Sequence, residues 1–132
     1  ALDAPRIDSN HPMVQGIFSR FQRYFRGDVI QFRDTIDLQG TEFQIKVWSA
    51  TKLIPYGETR SYGWIANEIN SSNASMAVGQ ALKANPLPIV IPCHRVIGKN
   101  GSILGYGGPH GTAMKSLLLS IESPVHVAHL RI

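Results

Sequence analysis

The chain's single thiol, Cys93, lies in the run Pro92-Cys93-His94-Arg95-Val96, directly before an imidazole. A thiolate is a strong nucleophile, and histidine is the side chain best suited to take a thiol proton near neutral pH. A lone cysteine is most often a small buried hydrophobe. Four neighbouring features point the other way: a rigid proline before it, a base after it, a glycine-rich loop downstream and a helical pair upstream that could meet nucleic acid. In extended chain, adjacent side chains point to opposite faces, so His94 would reach the sulfur through a water rather than directly. That geometry disfavours a protease-type dyad, and a small cysteine hydrolase with it.

The elements that must hold this run are legible on either side. Downstream, His94–Ile97 and Ser102–Leu104 flank Gly98-Lys99-Asn100-Gly101, a turn signal that predicts a short hairpin. Gly105, Gly107 and Gly108 surround Tyr106, leaving backbone that a ligand can approach closely. Thr112 is positioned to cap a last helix whose apolar stripe would be Met114, Leu117, Leu118 and Ile121. Upstream, Thr41-Glu42-Phe43-Gln44 forms a capping box, opening a helix with Phe43, Val47, Trp48 and Ile54 inward; Pro55-Tyr56-Gly57 ends it. Ser61 caps a short helix marked by Ile65 and Ile69. Asn70-Ser71-Ser72-Asn73 breaks it, with Ser72 or Asn73 as the next cap, and a helix follows from Ala74 to about Ala84. Two short helices across a polar turn suggest a helix-turn-helix. On the second, Ala74, Ala77, Val78, Ala81 and Leu82 gather on one side, and Ser75, Met76, Gly79, Gln80 and Lys83 on the other. Asn85-Pro86 stops it, and the apolar segment to Pro92 reads as buried and extended. Near the start, Val14, Ile17, Phe18, Phe21, Tyr24 and Phe25 predict a helix over 13–26, stopped by Gly27.

Composition bounds the possibilities. The 132 residues suffice for one domain with a modest core; 43% are hydrophobic and 17% charged, which argues against extended disorder. No apolar run approaches the about 18 residues of a membrane span, and the first residues do not read as a signal peptide. One cysteine excludes an internal disulfide and a Cys-rich zinc site, and a reducing compartment is the simplest setting. His126 and His129 have no further ligand cluster, and His11 and His110 are isolated, so no metal is expected. The net charge of +4 permits a nucleic-acid partner without establishing one.

The cysteine run resembles the active-site motif of the O6-alkylguanine–DNA alkyltransferases. The likeness extends collinearly through Phe43-Gln44, Val47-Trp48, Ile54-Pro55-Tyr56-Gly57-Glu58, Ser61-Tyr62-Gly63, Ala77-Val78-Gly79, Asn85-Pro86, Tyr106-Gly107-Gly108 and Lys115 to Glu122, about residues 41–122. The resemblance implies a mainly α, winged-helix-like helix-turn-helix domain with a short β-hairpin over 41–132. Residues 1–40 are then a shortened extension with one helix, a remnant of the family's N-terminal domain. It implies a single-turnover transfer of an alkyl group from guanine O6 in double-stranded DNA to Cys93, with the nucleotide flipped out of the duplex. His94 would take the thiol proton through water, Glu122 would orient the imidazole, and the Tyr106 hydroxyl would meet charge on the leaving guanine. Tyr62, Ser75, Met76, Ala77, Gly79 and Arg95 would serve DNA binding and flipping. Asn85, Pro92, Val96, Gly107 and Gly108 would shape the pocket, with the Cys93 and Val96 carbonyls reading the exocyclic amine. It needs no cofactor, metal or membrane, and implies a monomer in the cytoplasm of a prokaryote or the nucleus of a eukaryote.

Two departures stand out. The family usually carries arginine where this chain has Met76, which can wedge into a stack but cannot donate charged hydrogen bonds to the orphaned base. Only about 40 residues precede the match. The alternatives are a non-catalytic lesion binder, like the alkyltransferase-like proteins that replace the cysteine, and a helix-turn-helix regulator whose thiol is a sensor.

Overall fold

A computed structural model of the chain describes residues 12–32, 37–98, 101 and 111–122, apart from the side chains of 12–14 and 112. The chain divides into two compact units, Ala1–Gln31 and Phe32–Ile132, a boundary some residues before the expected one at 40.

The first unit contains α1, Pro12–Phe25. It ends as glycine-terminated helices do: Gly27 takes φ +98, its amide donates to Tyr24 O (3.0 Å), and Asp28 N donates to Arg23 O (3.1 Å). The predicted apolar stripe is only partly inward, since Tyr24 is buried while Phe18 and Phe25 are exposed.

In the second unit α2 spans Glu42–Thr51, and the capping box forms as predicted: Gln44 N donates to Thr41 Oγ1 and Thr41 N to Gln44 Oε1, each at 3.0 Å. β1 is Arg60–Ser61 and α3 is Tyr62–Glu68, with the Ser61 hydroxyl accepting from Trp64 N. Asn70 closes α3 at φ +59, a conformation asparagine tolerates, with Ser71 N donating to Ala66 O (2.8 Å). α4 follows as Ser75–Lys83. Its N-cap is Ala74, without a side-chain cap, rather than the predicted Ser72 or Asn73.

Next, Cys93–Arg95 forms a 3₁₀ turn, β2 is Val96–Ile97, and α5 is Gly111–Glu122. The run read as extended is therefore helical at the cysteine. The observed β-pairing is parallel, Arg60 with Val96 and Ser61 with Ile97, and ties the head of the helical pair to the cysteine segment. The return arm of the predicted hairpin, residues 102–104, lies outside the described residues.

One core joins these pieces. Val47, Trp48 and Ala50 of α2, Ile65 and Ala66 of α3, and Val78, Ala81 and Leu82 of α4 meet Ile54, Ile91, Cys93 and Val96. The Trp48 indole N–H donates to Ala81 O at 2.9 Å, pinning α2 to α4. Fully burying one such large side chain stabilises by about 1.5–3 kcal/mol, so α2 acts as the platform that holds the helical pair.

α5 shows a shifted face. Lys115, Leu118, Leu119 and Glu122 are buried, whereas Met114 and Leu117, predicted inward, are 48% and 50% exposed. Thr112, predicted as a cap, lies inside the helix, which starts at Gly111.

Candidate active site

The 3₁₀ turn stacks three functional side chains within one helical turn, and each is buried. Cys93 lies at the margin of the core, 5% exposed. Asn85, just past the end of α4, holds it: the amide Nδ2 donates to Cys93 Sγ (3.0 Å) and to Ile91 O (2.8 Å), while Oδ1 accepts from Leu87 N (2.8 Å). An amide donor aimed at sulfur suits a thiolate better than a thiol.

His94 turns into the protein and meets Glu122, Nε2 to Oε2 at 2.5 Å, with both side chains essentially inaccessible. Burial, the larger influence, pulls the His94 pKa below its ordinary value, against the upward pull of Glu122; Arg95 and Lys115 add to the lowering. The resting imidazole is thus neutral and able to accept a proton. Burial pushes the Glu122 carboxyl up, but hydrogen bonds from His94 and Arg95 outweigh it and bring it down to about 2. With His94 neutral, Arg95 is the partner whose standing charge keeps Glu122 ionised.

Arg95 grips that carboxylate from the other side, Nε to Oε1 at 2.8 Å and Nη2 to Oε2 at 3.1 Å, and Nη1 donates to Ile54 O at 2.8 Å. Its guanidinium lies 5.6 Å from the Tyr56 ring centroid. Gly57 N adds a bond to Glu122 Oε1 at 3.2 Å. Glu122 thus joins the end of α5, the cysteine turn and the Pro55–Gly57 turn. Arg95, expected at the DNA, is instead a buried partner of this carboxylate, with all three guanidinium nitrogens donating inside the protein.

The helical pair presents its own surface. At the start of α4, Ser75 and Ala77 are exposed and Met76 is 85% exposed, with Gly79 half-buried beside Tyr62. Ala77, projected inward from the sequence, faces out. A cavity of about 430 Å³ is lined by Ser61, Tyr62, Gly63 and Ser75. Burial, and secondarily negative charge on Cys93, raises the Tyr62 pKa, so its hydroxyl stays protonated.

Residues 42–124 match the family model described as 6-O-methylguanine DNA methyltransferase, DNA binding domain. The chain belongs to that family. A methylated-DNA–protein-cysteine methyltransferase of Mycobacterium leprae is 50% identical over 104 residues, covering 79% of this chain and 62% of the relative, so the chain spans less than two thirds of that relative's length. The fold is similar to the Mycobacterium tuberculosis O6-methylguanine methyltransferase (TM-score 0.78, 45% identity, 84% of this chain and 66% of that one). It is similar to the M. tuberculosis protein in complex with DNA as well (0.74, 40%, 87% and 73%). S. pombe Atl1, in complex with damaged DNA containing O6-carboxymethylguanine, is a more distant likeness (0.56, 35%, 64% and 79%).

Of the family-derived site residues, Cys93, His94, Glu122, Asn85, Pro92 and Val96 converge on the 3₁₀ turn and its surroundings, and Tyr62, Ser75, Met76, Ala77 and Gly79 on the helical pair. Tyr106, Gly107 and Gly108 lie outside the described residues, as do His11, His110, His126 and His129. Both carbonyls expected to read a guanine amine already accept one bond: Cys93 O from Val96 N, and Val96 O a short one from Lys115 Nζ. A carbonyl has a second lone pair for another donor. The sequence reading missed Lys115, Tyr56 and the Gly57 amide. Lys115 sits seven residues before Glu122 on one helix face, a spacing that signals a shared buried side. Among the described residues no group of three potential ligands could hold a metal, and no helix is long and apolar enough to cross a membrane.

Proposed function

We propose that this chain repairs O6-alkylguanine in double-stranded DNA by moving the alkyl group, methyl above all, onto Cys93, once per molecule. The observation that carries this reading is the buried His94–Glu122 contact at 2.5 Å immediately after the cysteine, in a chain of this family. The neutral imidazole takes the thiol proton through a water. Nε2 is committed to Glu122, so Nδ1 is the receiving nitrogen, and the ionised carboxylate then stabilises the imidazolium. Asn85 steadies the sulfur while the thiolate displaces guanine from the alkyl carbon in line. Tyr106 meets the charge on the departing base, and Gly107 and Gly108 border its pocket; Pro92 fixes the entry to the turn. A thioether does not hydrolyse readily, which makes the protein a suicide transferase. No cofactor enters any step.

The damaged nucleotide must leave the stack to reach a sulfur this buried. Tyr62 beside the α4 cavity crowds the target's 3′ phosphate, Ser75, Ala77 and Gly79 allow close approach, and Met76 wedges into the vacated space. The likeness to the M. tuberculosis protein bound to DNA supports this docking face. We further place the chain in the cytoplasm of a prokaryote, acting as a monomer, with residues 1–40 as an extension of the catalytic 41–132.

Intact-mass spectrometry after incubation with O6-methylguanine duplex tests the reading: one methyl on Cys93 is expected, and none in Cys93→Ser. Binding without mass gain would favour a second reading, a non-catalytic lesion flag, which Met76 in place of the family's arginine keeps in view.

A further inference from the structure

The described cations of the second unit differ in what surrounds them. Arg95 and Lys115 are buried. Lys46 pairs with Glu42 along α2 at 3.4 Å, Lys52 caps the end of that helix, and Lys83 is exposed in the last turn of α4. Arg60 stands elsewhere. It directly precedes Ser61, which lines the α4 cavity together with Ser75, the neighbour of Met76. Its side chain is 31% exposed. Nη2 donates to Glu58 Oε1 and Nη1 to Thr59 O, each at 2.8 Å, and the guanidinium carbon lies 5.6 Å from the Trp64 ring centroid. Trp64 N donates in turn to Ser61 Oγ at 3.0 Å, so the residue that carries this ring is tied to the cavity wall. An arginine stacked on a ring and bonded to its own backbone has already given up much of its rotamer freedom, so it loses little more on taking a further partner. Its two bonds leave it N–H groups to offer an incoming anion.

We propose that Arg60 binds a DNA phosphate at the margin of this cavity, exchanging the Glu58 carboxylate for the phosphate while the Trp64 ring holds the guanidinium in place. This rests on the docking reading of the helical pair. Glu58 is 50% exposed, and an ion pair within reach of water is weak, so a phosphodiester can displace the carboxylate. Glu58 is thus a placeholder that keeps the guanidinium oriented in the free chain. The exchange supplies what the neighbouring residues lack. Met76 offers an apolar wedge without charge, and Tyr62 keeps a protonated hydroxyl. Arg60 brings a cation to the same end of the helical pair. Every nucleotide carries a phosphate, so the contact strengthens the hold on DNA without reading its sequence.

The test is anisotropy of labelled, undamaged duplex titrated with the full chain and its variants, from about 50 to 200 mM salt. Circular dichroism checks that each variant is folded. Arg60→Gln is expected to flatten the slope of log affinity against log salt by about 0.9, the share of one phosphate, and to weaken binding about tenfold. Arg60→Lys keeps the charge and is expected to restore the slope. A slope unchanged in Arg60→Gln, or flattened as much in Arg60→Lys, overturns the proposal. Glu58→Gln is expected to tighten binding about threefold in the native chain. In the Arg60→Gln background it is expected to gain much less, since no guanidinium is left to release. Equal gains in the two backgrounds would make Glu58 a merely repulsive charge and overturn the exchange. Ser75→Glu separates this proposal from the docking reading, because a carboxylate on that face is expected to weaken binding strongly. If it does so while Arg60→Gln keeps the native slope, Arg60 fails alone. If Ser75→Glu binds like the native chain, the docking reading fails and the proposal with it. Methyl transfer enters none of these measurements.

Discussion

At the scale of single residues, Glu122 does more than orient a histidine. One carboxylate satisfies an imidazole, a guanidinium and a backbone amide in a place water does not reach. Glu122→Gln would leave Arg95 buried beside a neutral amide, and breaking such a pair typically costs about 3–5 kcal/mol. The expected outcome is an unfolding free energy, read from urea titration at pH 7, lowered by that amount. Acid should expose the same feature. Below pH 6.5 an unfolded His94 takes a proton that the buried imidazole resists, so stability starts to fall. The Glu122 contribution is complete above its ordinary pKa of 4.5 and is lost as pH drops through about 2. Thermal scans across this range should therefore show the native chain weakening steadily and converging on Glu122→Gln near the acid end.

Met76 is the second residue to read by its chemistry. It is 85% exposed at the head of α4, where a flipping reading needs a side chain to fill the gap and bond the orphaned base. A thioether fills but does not donate. Met76→Arg is expected to speed single-turnover methyl transfer from duplex DNA by about tenfold, the worth of one charge-assisted hydrogen bond. Quench-flow on labelled lesion duplex checks it, and an unchanged rate removes Met76 from the flipping step.

At the scale of elements, turns fix the site as firmly as helices do. Gly57 holds φ +80 while its amide reaches Glu122. Gly57→Ala places an L side chain in a left-handed conformation at a cost of about 1–2 kcal/mol, and the loss should appear in denaturant unfolding. Local rules explain which elements were legible beforehand. The Thr41–Gln44 box and the Ser61 cap are sequence-local hydrogen bonds between neighbours, and both formed where read. The face of α5 was misread by one position because its buried side carries Lys115 and Glu122, and apolar periodicity cannot mark a face lined with charges. The parallel pairing of Arg60 with Val96 was invisible for another reason: two-residue strands have no alternation to detect, and their partner lies across α3 and α4. Arg95 stands among the DNA-facing residues by family resemblance alone, and nothing local in the sequence marks it as buried. Only the spatial return of α5 brings it a carboxylate.

At the scale of the whole molecule, 13 basic against 9 acidic residues give a surface that should bind duplex chiefly through phosphate. Affinity for unmodified DNA is then expected to fall by about a thousandfold between 50 and 200 mM salt if six or so phosphates are contacted. Anisotropy titrations at several salt concentrations read the slope, and a flat profile would point to recognition by the pocket alone.

Trp48 offers a practical consequence. Its indole is 2% exposed and donates to Ala81 O near the far end of α4, so a natural fluorophore is wired to the helix expected to meet the duplex. The other tryptophan, Trp64, lies half-buried under the Arg60 guanidinium. In a Trp64→Phe chain, emission from the remaining indole would register any tilt of that helix without a dye, turning the core itself into an optical gauge of docking.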